Sequence, residues 1–105
     1  MRRAAGLLAL SLLLAACVET IAESRVRDAL RDAGLSERNA ECMATRMVDR
    51  LTIAQLRKLE ALKNEDGEAA PVGLQDYLER VRRVGDAEVI AVTASSAALC
   101  ATGLA

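Results

Sequence analysis

Residues 36–56 read SERNAECMATRMVDRLTIAQL, and the punctuation of this stretch decides the fold. Ser36 stands as an N-cap, a residue whose hydroxyl accepts from backbone N–H groups one turn on. Ala40, Ala44, Met47 and Leu51 then share one face, so Glu37 to about Arg50 reads as a helix with a single apolar stripe. Thr52-x-x-Gln55 is a capping box, and it starts another helix at Ile53 as soon as the first has stopped.

Outward from this pair the same signals repeat. Val18 to Ala33 carries the stripe Ile21, Val26, Ala29, Leu30 and Ala33, and Gly34 closes it as a C′ residue. Ile53, Leu56, Leu59 and Leu62 give the third helix its core face. Residues 64–73 are charged, then hold Pro71 and two glycines, and read as an internal linker. Leu74 to Val84 is a fourth helix ended by Gly85, and Asp86 caps a fifth from Ala87 to about Thr102. No run alternates as a strand would. The expected fold is all-α, a small bundle of about five short helices in one domain spanning residues 17–105. Its core has no Trp or Phe to use and one Tyr, Tyr77. The fifth helix is apolar almost all round, so it is expected to be covered on several sides.

The N-terminus is different in kind. Met1-Arg2-Arg3 is a short basic region, and Gly6 to Ala16 follow without charge. That is the layout of a secretory signal, with an apolar stretch too short to span a bilayer. At its end Leu14-Ala15-Ala16-Cys17 resembles the lipobox of bacterial lipoproteins, and every position of the motif fits. The resemblance implies that residues 1–16 are a cleaved signal peptide. It implies further that Cys17 is thioether-linked to diacylglycerol and fatty-acylated at its new amine, a palmitate-type lipid anchor. Val18 stands where Asp would favour inner-membrane retention, so the resemblance implies outer-membrane sorting, facing the periplasm. More than one acyl chain makes such anchoring stable without a membrane span. No Gly-, Ser- or Pro-rich tether follows, so the body is expected to sit close to the membrane.

Export of this kind places the remaining thiols in an oxidising compartment. With Cys17 taken by lipid, Cys42 and Cys100 read as a disulfide. The loop closed is about 59 residues, which the chain-entropy argument values at about 4 kcal/mol. Cys42 falls opposite the apolar stripe, among Arg38, Thr45, Arg46 and Asp49, so the alternative is a thiol made reactive by nearby arginines. The segment from Gly34 to Leu56, taken with Cys100, is also similar to small exported bacterial proteins in which a Cys-bearing helix is stapled to a C-terminal Cys. That similarity implies nothing about activity.

Chemistry has little to work with. The chain has 14 basic and 15 acidic residues and no His. Without residues 1–16 the net charge falls to about −3, so no nucleic-acid partner is expected. Lack of His excludes Ser-His-Asp and Cys-His catalysis and most zinc sites. Glu65, Asp66 and Glu68 sit in the linker with no apolar wall to raise a pKa. Met43 and Met47 share a face and suit a soft metal, but core packing explains them better, and no metal or cofactor is expected. Ser95 and Ser96 read as close packing. Arg80, Arg82 and Arg83 either touch anionic headgroups or form a solvated face paired with Asp76 and Glu79. The expectation is a non-enzymatic, membrane-anchored lipoprotein. Its helical domain would bind other envelope proteins or play a structural part among them. The alternative is a carrier of a small apolar ligand between Ala-rich helices. A cavity of several hundred Å³ favours the carrier, and a flat apolar patch favours the protein partner.

Overall fold

The computed structural model describes residues 2–62 and 71–103, with side chains from residue 17 onward. The described residues form five helices and no strand: α1 (Arg2–Asp32), α2 (Glu37–Arg50), α3 (Ile53–Ala61), α4 (Gly73–Arg82) and α5 (Ala87–Thr102). The all-α bundle expected from the sequence is the fold. Most of the 64–73 linker, with Glu65, Asp66 and Glu68, lies outside the described residues. Its last residue, Gly73, already belongs to α4.

The first helix differs from expectation. No break occurs at Val18; α1 is one helix of 31 residues. The residues before Cys17 are mostly Leu and Ala, strong helix formers with no proline among them, so nothing local stops the helix there. Residues 17–21 are exposed, and burial begins at Ala22. It is complete at Leu30 and Ala33, 0% and 1% exposed. The end of α1 is a Schellman motif. Gly34 N–H donates to the Arg31 carbonyl at 2.9 Å, and Leu35 N–H to the Leu30 carbonyl at 3.1 Å. Gly34 has φ 95°, which a side chain would resist. The Ala33 carbonyl then accepts from Gly73 N–H, which ties the end of α1 to the start of α4.

α2 is the centre of the bundle, packed against α1 and α5. Ser36 Oγ accepts from Asn39 N–H at 3.2 Å, as an N-cap should. Ala40, Ala44, Met47 and Leu51 are buried, and Met43 joins them, so both methionines are core. Thr45 donates to Glu23 Oε1 at 2.8 Å, linking α2 to α1. The capping box of α3 closes in both directions. Gln55 N–H donates to Thr52 Oγ1 at 3.2 Å, and Thr52 N–H to Gln55 Oε1 at 2.9 Å. Removing the hydroxyl in Thr52→Ala is expected to lower stability by about 1 kcal/mol in chemical denaturation.

Asp86 does two jobs. Its Oδ1 accepts from Glu88 N–H at 3.0 Å and Val89 N–H at 3.2 Å, capping α5. Its Oδ2 accepts from Lys58 Nζ at 3.3 Å and Gln55 Nε2 at 3.4 Å, holding α3. These donors, the Val89 N–H first, hold its pKa below the ordinary 3.8. A lowered folded pKa contributes stability above the unfolded value, and that stability is lost as pH falls through the folded one. Acid denaturation followed by circular dichroism should therefore lose steepness below pH 3.8 in Asp86→Asn.

α5 corrects a second expectation. It is not covered on several sides: Ala91, Ala94, Ala98 and Ala101 are exposed. Val89 is buried, and Ile90 and Val92 pack against the core. A methyl group leaves little apolar area in water, so an outer face of alanines is tolerated. On the inner face Thr93 and Ser96 are 0% exposed, and neither hydroxyl has a hydrogen-bond partner among the described residues. Ser96 reads as close packing, as expected, whereas Ser95 is exposed and donates to the Val92 carbonyl at 3.2 Å. Thr93→Val removes an unpaired buried hydroxyl at similar shape and should raise stability by about 1 kcal/mol in the same assay.

Cys42 and Cys100 form the disulfide expected of them, with Cα atoms 5.8 Å apart. The bridge joins the first half of α2 to the last turn of α5. Cys42 is therefore not a reactive thiol, and its place opposite the stripe is the clamp between two helices.

Candidate functional site

A groove of about 530 Å³ runs between α1 and α3 and ends at α4. Its α1 wall is built from residues at successive turns, among them Val18, Ala22, Val26 and Ala29. Its floor is Leu56, Leu59 and Tyr77, which are 8%, 8% and 9% exposed. The cause is local. Alanines at 22 and 29 are too small to fill the space before α3, and α3 is only nine residues long. Ile53, expected on the core face of α3, consequently stays 39% exposed at the rim, and Leu62 is only partly buried.

Among the described residues one ion pair crosses the groove. Arg25 Nη1 on α1 meets Glu60 Oε1 on α3 at 2.9 Å, with both side chains largely in solvent. Such an exposed pair is worth at most about 1 kcal/mol, so it marks the rim without locking it. Arg80 lines the α4 end, its side chain 17% exposed, and its Nη2 is 3.4 Å from Asp76 Oδ2. Arg80, Arg82 and Arg83 therefore do not act as one patch. Arg80 belongs to the groove, while Arg82 and Arg83 are exposed outside its lining. Arg57 also lines the rim and makes no ion pair among the described residues.

Tyr77 is the single aromatic of the chain, and burial pushes its hydroxyl up to about 12. The unfolded chain ionises near 10 and the folded one does not, so stability falls as pH rises above 10. Alkaline titration by near-ultraviolet absorbance should show phenolate forming near pH 12 in the folded protein. An ordinary midpoint near 10 would mean that the groove floor is open to water.

Cys17 is exposed and is the free cysteine of the described residues. It immediately precedes Val18, where the groove lining begins. Cys42 and Cys100 take no part in that lining. Among the described residues no group of three or more His, Cys, Asp or Glu is placed to hold a metal, and no helix is long and apolar enough to cross a membrane. Of the groove residues the sequence reading singled out Arg80 alone, as a candidate headgroup contact. The one signal for the groove was the apolar repeat at Val18, Ala22, Val26 and Ala29, which reads equally well as filled core. Comparison with known proteins returns no match, whether to a protein family, a curated protein or a solved structure.

Proposed function

We propose that the chain is a lipid-anchored envelope protein whose helical body is a binding module, with the groove as its binding surface and an apolar guest as its ligand. Residues 1–16 serve as the signal peptide, and Cys17 carries the lipid that holds the protein on the periplasmic face of the outer membrane. The observation that carries the binding reading is the groove itself. Its volume of about 530 Å³ falls within the 300–1,000 Å³ of ordinary ligand pockets, and its floor is apolar. A concave site of that size favours a held ligand over flat docking to another envelope protein.

Two features support the anchor. Cys17 is exposed and unpaired while the other two cysteines are bridged. The helix from Cys17 into the body is unbroken, and burial starts five residues on. At 1.5 Å per residue the body then stands about 7 Å from its lipid, with the groove mouth at the membrane surface. Cys17→Ser is expected to abolish incorporation of labelled fatty acid, because serine lacks the thiol that receives diacylglycerol; label on the mutant would end the anchor reading. For the module, a photo-crosslinking residue at Ile21, which lines the groove and is 57% exposed, should trap a lipid-sized adduct in cells. A trapped protein would return the module to protein-partner binding.

A further inference from the structure

We infer that the guest of the groove is a single-chain anionic amphiphile, its acyl chain laid along α1 and its acid group held by Arg57. The inference rests on the groove-binding reading above and names the chemistry of the ligand. Length comes first. The apolar part of the α1 wall runs from Val18 to Ala29, about 17 Å of helix at 1.5 Å per residue, before Asp32 ends the lining. One leaflet of bilayer hydrocarbon is about 15 Å deep, so the wall matches one extended acyl chain. Shape comes second. The Arg25–Glu60 pair spans the open side at 2.9 Å. A slim unbranched chain passes beneath that strap, whereas a broad rigid guest must break it.

Charge comes third. Arginines 25, 57 and 80 line the groove against Asp32 and Glu60. Arg25 is held by Glu60 and Arg80 by Asp76. Arg57, without an ion pair among the described residues, is the guanidinium left to meet an incoming anion, and its planar fork suits carboxylate or phosphate. A long-chain fatty acid and an anionic lysophospholipid share that chemistry.

The test uses the full chain carrying Cys17→Ser, so that no attached lipid competes. Palmitate, palmitoyl-lysophosphatidylglycerol, hexadecanol and octanoate are titrated by calorimetry below their aggregation concentrations. Palmitate or the lysolipid should bind with 1:1 stoichiometry, and the tighter of the two names the source. Octanoate should be at least about 100-fold weaker, since it buries eight fewer methylenes. Hexadecanol should be about 10-fold weaker than palmitate for want of the charged hydrogen bonds. Arg57→Gln should bring palmitate down to the hexadecanol level and leave hexadecanol unchanged. Ala29→Phe, which fills the groove, should abolish both. Failure of both anionic probes to saturate, or affinity for them unmoved by Arg57→Gln, overturns the inference. If both fail while the Ile21 crosslinker still traps another molecule, the groove remains a binding surface and only the chemistry assigned here is lost.

Discussion

Cys100→Ala is expected to lower the stability of the domain by about 2–5 kcal/mol, the usual range for a native bridge in a small exported domain. The bridge spans a sequence separation of 58, and limiting an unfolded loop of that length is worth about 4 kcal/mol on the chain-entropy argument. Total stabilities of small domains lie at about 5–15 kcal/mol, so the bridge supplies a large share. The helix it secures needs it. The outer face of α5 is mostly alanine, and its inner face spends two positions on hydroxyls without partners among the described residues. Cys42→Ala should have the same effect, and the double mutant should be little worse than either single, because both residues act through one bond. Chemical denaturation of the full chain carrying Cys17→Ser measures all three. Losses that simply add would show the two cysteines contributing separately and would end the stapled-bundle account.

Leu30→Ala is expected to be as damaging, about 2–5 kcal/mol, the usual range for emptying a fully buried leucine site. Leu30 is 0% exposed and sits where α1 is most deeply packed. Its carbonyl is fixed by the Schellman motif and its neighbour Ala33 by Gly73, so the backbone has little freedom to close the cavity. The covalent loop from Cys42 to Cys100 leaves α1 outside, and α1 is held by packing, hydrogen bonds and surface ion pairs alone. Hydrogen exchange should therefore accelerate over residues 22–33 more than over α2. A loss spread evenly over all helices would show that Leu30 supports the whole core rather than the docking of α1.

Much of the fold was legible because its signals are local. Ser36, the Thr52–Gln55 box, Gly34 and Asp86 each satisfy backbone groups within a few residues of themselves, and each fixed a helix boundary correctly. The cysteine pairing was legible from parity, once export was inferred from the residues before Cys17. What failed to show was whatever depends on a neighbour distant in sequence. The outer face of α5 reads as apolar, and only the bundle reveals that its larger side chains turn inward and its alanines outward. The groove is the same kind of fact. Val18, Ala22 and Ala29 look like any core stripe until α3, thirty residues on, proves too short to cover them. The run of α1 through Cys17 was missed for the opposite reason: the change at Cys17 from an uncharged stretch to a charged one leaves no mark on helix propensity.

The disulfide also sets how the molecule carries mechanical load. Tension between Cys17 and the last turn of α5 travels along α1, into α2 as far as Cys42, and there crosses to Cys100. α3 and α4 hang outside that path and bear none of it. The groove thus has one wall under load and one at rest, joined across the gap by the Arg25–Glu60 pair. That pair is worth at most about 1 kcal/mol and couples little of the load into α3. Strain entering at Cys17 is therefore carried by α1, the first half of α2 and the bridge, and the chain between the two cysteines, α3 and α4 included, stays unloaded.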